Sequence, residues 1–259
     1  MHYWILPTAV VALSALVSAQ LLSPACTNSL ATIAASPDAS TCLSLASLAP
    51  VILETKNTSI VQEFDSWLTS FCATTPCSND TLSAIVANVT TGCGSDLSLS
   101  GAPESISKAL TPIVIQYYPA VRKILCLKDS NTNCITQTLT NIERFVGEPL
   151  TVSKVVALVL RVNGDSIPSN VTCTNCIKEG YNILNHDIPS LVSDVGPSAQ
   201  AQCGVSFTDG TTPSGISQSA VEATTISTSS ALGTVSLSSS DAFFSVFTSF
   251  ILAVFLFLA

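Results

Sequence analysis

The chain has 259 residues, a net charge of −8 and only 6% aromatic residues. Nine basic residues against seventeen acidic ones offer no basic surface for nucleic acid or for anionic lipid headgroups. Sugar-binding clefts commonly use exposed aromatic rings, so this composition also disfavours a lectin or a polysaccharide hydrolase.

The amino terminus is typical of a secretory signal peptide, predicted over residues 1–19. An apolar run covers residues 5–17, and the small residues of Val17-Ser18-Ala19 then favour cleavage before Gln20. The alternative is a membrane anchor, but about 13 apolar residues are too few to cross a bilayer core of about 30 Å. The mature chain is therefore expected to enter the secretory pathway.

Ten cysteines follow, all within the predicted folded domain of residues 20–208. Their even number in an oxidising compartment predicts five disulfides, without fixing which cysteines pair. Cys173 and Cys176 form a CxxC motif, which could also serve redox chemistry or half of a zinc site, but the compartment favours structural disulfides. The ten positions are Cys26, Cys42, Cys72, Cys77, Cys93, Cys126, Cys134, Cys173, Cys176 and Cys203.

The cysteines divide into two sets of five with a similar layout. Each set has two cysteines near its start, a long gap, a close pair and then a lone Cys-Gly, at Cys93-Gly94 and Cys203-Gly204. This layout predicts an internal duplication with halves at about 24–100 and 110–208; the alternative is chance similarity. Because five is odd, complete pairing requires an odd number of disulfides between the two sets.

Apolar residues within each half recur at helical spacing. One stripe contains Ile60, Phe64, Trp67, Leu68 and Phe71, and a second, Leu82 to Val89, follows the capping sequence Ser78-Asn79-Asp80. A third stripe of Ile135, Leu139, Ile142 and Phe145 stops before Gly147. Residues 152–162 are also helically periodic, although they are rich in β-branched residues. The predicted fold class is all-α and disulfide-rich, with eight to ten short helices.

Four sequons predict N-glycosylated surface positions at Asn57, Asn79, Asn88 and Asn170. Residues 209–229 are predicted to form a disordered stalk, because ten of the nineteen residues 211–229 are Ser or Thr and none is aromatic.

The carboxyl terminus is typical of a signal for attachment of a glycosylphosphatidylinositol (GPI) anchor. Ser229, or alternatively Ser227, is the predicted attachment residue, and residues 230–259 would be removed. They comprise a polar spacer and an apolar tail over 242–259. The alternative is a single-pass or tail-anchored protein, but no basic residue follows Lys178 to flank such a span.

Candidate catalytic groups are few. His186 is the only histidine of the mature chain, and its neighbour Asp187 is expected to point elsewhere. No GxSxG motif supplies a nucleophile. Glu63 and Asp65 lie two residues apart on a predicted helix, do not share a face, and are expected to be solvated surface residues. We therefore predict no catalytic residue, no metal site and no cofactor.

The order Trp67-Leu68, Phe71-Cys72, Cys77-Ser78, Cys93-Gly94 and Arg122 to Cys126-Leu127 resembles cysteine-rich, GPI-anchored surface proteins of fungi, especially basidiomycetes. The resemblance covers roughly residues 24–208 and concerns a domain of unknown function. It implies secretion and a cell-surface location, and it supplies no catalytic residues. The chain departs from the tighter eight-cysteine CFEM pattern, so haem binding is not implied.

Three functions follow as hypotheses. The first is a non-enzymatic cell-surface or cell-wall glycoprotein, held to the outer leaflet by its lipid anchor and in contact with cell-wall polymers. The second is an extracellular binding module for a sterol or fatty acid, which needs an apolar cavity among Trp67, Phe71 and residues 155–160. The third is a cell-wall hydrolase, which needs a cleft with two facing carboxylates.

Overall fold

Helices make up most of the fold. The structure is a computed structural model, and it describes residues 23–53, 58–97, 101–151, 154–155 and 168–222. The part of the chain that contains the first cysteine set forms α1 (Pro24–Ala35), α2 (Pro37–Cys42), α3 (Leu45–Leu53), α4 (Val61–Ala73) and α5 (Asn79–Cys93). The later part forms α6 (Pro103–Leu125), α7 (Cys134–Val146), α8 (Ser169–Thr172), α9 (Asn175–Asp187), α10 (Pro189–Val192) and α11 (Gly196–Cys203), followed by a 3-10 turn, Val205–Thr208.

Local sequence signals set several helix ends. The Ser78 hydroxyl accepts a hydrogen bond from the Thr81 N–H at 3.1 Å and begins α5 as predicted. Asn133 caps α7 through its side-chain oxygen, and α7 ends at Gly147, whose φ of +76° is the left-handed conformation that glycine adopts without strain. The three predicted apolar stripes therefore lie on α4, α5 and α7, although Phe145 at the end of the third is 56% exposed.

A small antiparallel sheet was not expected from the sequence. Strand β1 (Leu127–Asp129) pairs with β2 (Thr132–Asn133) and, on its other side, with β3 (Ile216–Gln218), in the order β2-β1-β3. These strands have two or three residues each, too short to produce a period-two pattern. The fold remains mostly helical, with this sheet as an addition.

The predicted boundary of the stalk is corrected by the same sheet. A disordered stalk is predicted over residues 209–229, but β3 lies in its described part, 209–222, and the residues after β3 bond to the helical domain. The Ser219 N–H donates to the Cys126 carbonyl at 2.9 Å, and the Val221 N–H donates to the Cys72 carbonyl at 3.0 Å. The folded domain therefore extends to Val221, despite the Ser/Thr-rich composition.

The main hydrophobic core lies around α4. Phe64, Trp67 and Phe71 form a row of rings on one face, with centroids 4.9 and 5.1 Å apart along the row. Trp67 is 1% exposed and donates its indole N–H to the Leu43 carbonyl at 2.9 Å. The helix α7 packs against α4, while α1 and α6 pack against α5. Burial of this aromatic row gives α4 a central position in the domain.

All ten cysteines are paired, as predicted. The pairs are Cys26–Cys93, Cys42–Cys77, Cys72–Cys126, Cys134–Cys176 and Cys173–Cys203. One disulfide, Cys72–Cys126, joins the two cysteine sets, which agrees with the parity argument. In each set the second and fourth cysteines pair, but the remaining pairs differ, so the duplication stays a prediction.

Several predicted features lie outside the described residues. These are the signal peptide, Asn57, residues 152–153 and 156–162 of the predicted helix over 152–162, the attachment residues Ser229 and Ser227, and the anchor signal. Within the described ranges, every helix is too short or too polar to cross a membrane.

Gly92 offers a direct test of packing between α1 and α5. A Cβ atom at Gly92 would lie 1.9 Å from Ser29 Oγ and 2.8 Å from the Ala25 carbonyl. Gly92→Ala should therefore force α1 away from α5 and lower the free energy of unfolding by about 1–3 kcal/mol, measured by urea denaturation with disulfides intact.

Gly180→Ala is the matched control, because a Cβ there meets only Ile124 Cγ2, at 3.9 Å. This helical substitution should be neutral or stabilise by up to about 1 kcal/mol. Equal effects of the two substitutions would contradict the packing described for α1 and α5.

Candidate functional site

A buried arginine lies where the two cysteine sets meet. Arg122 is 4% exposed, and its guanidinium donates to the Phe71 carbonyl at 3.2 Å and to the Thr74 carbonyl. Its central carbon lies 4.7 Å from the centroid of the Phe71 ring. We call this group, with the adjacent Cys72–Cys126 disulfide, the junction.

Helix electrostatics explain how the junction holds a buried charge. Within the described part of the chain, Arg122 has no carboxylate partner. Phe71 and Thr74 lie at the carboxyl end of α4, where unpaired carbonyls carry partial negative charge. The guanidinium donates to these carbonyls and faces an aromatic ring, which together offset the cost of removing the cation from water. The role of Arg122 is therefore structural.

The disulfide of the junction is also fully enclosed. Cys72 lies in the last turn of α4 and is 4% exposed, and Cys126 follows α6 directly and is 0% exposed. Arg122 lies one helical turn before Cys126, so the same end of α6 brings the charge and the sulfur to α4. In the sequence, Arg122 stood out only through the resemblance to fungal surface proteins.

The structure corrects the expectation for His186 and Asp187. His186 Nδ1 lies 2.7 Å from Asp187 Oδ1, and Asp187 Oδ2 lies 2.8 Å from Lys123 Nζ. Partial burial disfavours the charged form of Asp187, but hydrogen bonds from Lys123 and His186 outweigh it and lower the pKa of this carboxyl. The His186 side chain is 87% exposed at the end of α9. The group is a surface ion pair that joins α6 to α9.

Glu63 and Asp65 are both half-buried, not solvated as predicted. Asp65 Oδ1 accepts a hydrogen bond from the Thr136 hydroxyl at 2.5 Å and so connects α4 with α7. Glu63 Oε2 is buried and has no hydrogen-bond partner among the described residues. The helical turn separates the two carboxylates, so they do not form a facing pair.

An open groove of about 320 Å³ lies between α5 and α6. It is lined by Ala87, Thr91, Pro103, Glu104, Ser107 and Lys108.

An apolar cavity is hypothesised from the sequence among Trp67, Phe71 and residues 155–160. The described members of this set, Trp67, Phe71 and Val155, pack together in one buried cluster. Residues 156–160 lie outside the description. No group of three or more potential metal ligands occurs in the described ranges.

The three described sequons differ in exposure. Asn79 in the first turn of α5 and Asn170 on α8 are exposed. Asn88 is half-buried, and its side-chain nitrogen donates to the Ala84 carbonyl at 2.8 Å. An N-linked sugar is therefore accommodated most readily at Asn79 and Asn170.

Comparison with known proteins adds no assignment, because no family model, curated protein or solved structure matches the chain. Any functional conclusion consequently depends on the residues and contacts described above.

Residues after the last cysteine are held to α9 by a second polar group. Asp209 Oδ1 accepts hydrogen bonds from Lys178 Nζ at 2.8 Å and from the Thr211 hydroxyl at 2.7 Å and backbone N–H at 2.9 Å. Lys178 also donates to the Ser206 carbonyl at 2.6 Å. These contacts attach residues 209–211, the first residues of the segment predicted to be a stalk, to the helical domain.

This attachment should be pH-dependent. Hydrogen bonds from Lys178 and then Thr211 lower the Asp209 pKa from 3.8 to about 2. Its stabilising contribution should be fully present above pH 3.8 and be lost as the pH falls through about 2. A carboxyl-detected NMR titration should give a midpoint near the lowered value, and the Thr211 amide should shift with it.

In the control Asp209→Asn, the Thr211 amide should no longer follow this titration. An Asp209 midpoint at the ordinary 3.8 would contradict the contacts.

Substitution of Arg122 tests the junction. Arg122→Lys keeps the charge but cannot reproduce two planar hydrogen bonds to separate carbonyls, so the free energy of unfolding should fall by about 1–3 kcal/mol. Urea denaturation with intact disulfides measures this.

Lys123→Met is the control from the next position, where an exposed ion pair is removed and a loss of about 0.5 kcal/mol or less is expected. If Arg122→Lys lowered the free energy of unfolding as little as Lys123→Met does, the buried guanidinium would not be needed at the junction.

Proposed function

We propose that this protein is a non-enzymatic, GPI-anchored cell-surface or cell-wall glycoprotein of the fungal type that its sequence resembles. The observation that carries the proposal is the pairing of all ten cysteines in five disulfides. Such pairing requires an oxidising compartment and suits a domain that persists outside the cell. It also leaves no cysteine thiol for catalysis or metal binding.

The charged side chains with described contacts support a structural role. Arg122 binds helix carbonyls, Lys123 joins α6 to α9, and Lys178 holds the segment after the last cysteine. Each of these contacts connects two elements of the fold. Catalytic groups, by contrast, converge on a shared cleft.

The path of the chain supports a tether at its carboxyl end. The last described residues lie beside the junction, where the Val221 N–H donates to the Cys72 carbonyl. We infer that a shortened stalk, beginning after residue 222, leads from this point to the anchor at Ser229 or Ser227. A pull on the anchor would then act on the part of the domain that joins the two cysteine sets.

We also infer that the two halves derive from a duplicated unit. The shared pairing of second and fourth cysteines, Cys42–Cys77 and Cys134–Cys176, supports this inference. The two sets differ in their other pairs because the first half gives its third cysteine, Cys72, to the bridge, whereas the second half gives its first, Cys126.

Release from the cell surface tests the proposed anchor. When the full-length chain is expressed in yeast, phosphatidylinositol-specific phospholipase C should move it from the membrane fraction into the supernatant, because only lipid attachment would hold it. Immunoblotting of both fractions measures the transfer, and a peptide-N-glycosidase shift in mass measures glycosylation.

A variant that ends at Asp241 lacks the apolar tail and is the control, expected in the medium without lipase treatment. Retention of the full-length protein on membranes after lipase treatment, with its tail peptides still detected by mass spectrometry, would contradict GPI anchoring in favour of a membrane span.

A further inference from the structure

The segment 215–221, which we call the strap, crosses the domain surface and ends on the junction. Its β3 residues pair with β1, so that Ser217 lies opposite Lys128. At the end of β3, the Gln218 side chain donates to the Lys123 carbonyl at 2.9 Å. The strap therefore follows the chain around the end of α6 toward the disulfide.

The strap bonds to both cysteines of one disulfide. The backbone N–H and hydroxyl of Ser219 donate to the Cys126 carbonyl at 2.9 and 2.7 Å, and the Val221 N–H donates to the Cys72 carbonyl. Between them, Ala220 packs against the core cluster that contains both cysteines. The strap therefore lies across the disulfide and fixes the backbone on each side of it.

We propose that the strap shields the Cys72–Cys126 disulfide from thiols, and that its local release makes this disulfide a redox-sensitive switch. Short surface segments open at a lower free energy than the whole fold, so release does not require global unfolding. The inference concerns the folded domain and does not depend on the proposed anchor.

The switch uses ordinary thiol–disulfide exchange with an external thiol. A thiolate attacks Sγ of Cys72 or Cys126, forms a mixed disulfide and displaces the other cysteine as a thiolate. A second external thiolate then attacks the mixed disulfide and releases the first cysteine. Two external thiols become one disulfide while the protein disulfide becomes two thiols.

Reduction of the Cys72–Cys126 disulfide has a consequence that reduction of the other four disulfides does not have. Cys72–Cys126 is the one disulfide between the two cysteine sets, so its loss leaves them joined covalently only by the main chain. By contrast, Cys173–Cys203 is half-exposed and lies within the second set. It should react with thiols whether the strap is attached or not, and so serves as an internal reference.

The test is the rate at which each disulfide is reduced in the mature, natively folded protein. Dithiothreitol is added for increasing times, free thiols are alkylated, and peptide mass spectrometry gives the fraction reduced at each cysteine. The variants Ser219→Pro and Val221→Pro, alone and combined, remove the N–H donors to Cys126 and Cys72. Ser219→Ala and Val221→Ala keep the N–H groups and are the matched controls.

The combined proline variant should reduce Cys72–Cys126 about tenfold faster or more, because two backbone hydrogen bonds no longer hold the strap closed. The other four disulfides should change less than about twofold in rate, since their surroundings keep their protection. An unchanged rate at Cys72–Cys126 would overturn the proposal. Equal acceleration of the reduction of all five disulfides would also overturn it, because the whole fold, and not the strap, would then protect them from thiols.

The wild-type protein provides a second test that needs no variant. Amide hydrogen exchange at Ser219 and Val221 reports opening of the strap, and urea below the unfolding transition should accelerate exchange and Cys72–Cys126 reduction by the same factor. Reduction of this disulfide while both amides stay protected would overturn the proposal.

Discussion

The burial of Arg122 at the end of α4 is the constraint on which the rest of the fold depends. A guanidinium 4% exposed must find acceptors, and its two terminal nitrogens find them in the last carbonyls of a helix that also carries the central aromatic row. This contact fixes the end of α6 against α4 and places Cys126 next to Cys72. The cation, the ring of Phe71 and the disulfide therefore impose one relative position on the two cysteine sets.

The position of α6 against α4 also determines the path of the chain that follows α6. The chain turns from α6 into β1, which offers one edge to β2 and the other to β3. Because β3 pairs there, the segment after the last cysteine returns to the junction instead of leaving the domain at residue 209. The last described residues and the disulfide between the two cysteine sets thus meet in one small region, which is where the proposed tether would begin. Under the two proposals, a pull on the tether and an external thiol would both act at this point.

The sequence predicted what depends on local spacing and missed what depends on distant partners. The apolar stripe on α4, the Ser78 cap and the Gly147 stop were predictable, because each involves residues within a few turns. The return of Ser219 to Cys126 was not, because a short strand in a Ser/Thr-rich segment has no pattern of its own. The odd number of cysteines in each set required a disulfide between the sets, but it did not identify Cys72 as the cysteine that forms it. The contact of His186 with Asp187 was not predictable either, because it depends on side-chain rotamers that sequence spacing does not determine.

Peptide mapping of the disulfides under non-reducing conditions tests the central claim most directly. Digestion of the natively folded protein, followed by mass spectrometry, should yield a linked pair of peptides containing Cys72 and Cys126. This result would establish the junction as the covalent connection between the two cysteine sets. Detection of Cys72 joined to a cysteine of its own set, such as Cys77 or Cys93, would contradict the arrangement around Arg122 and the account built on it.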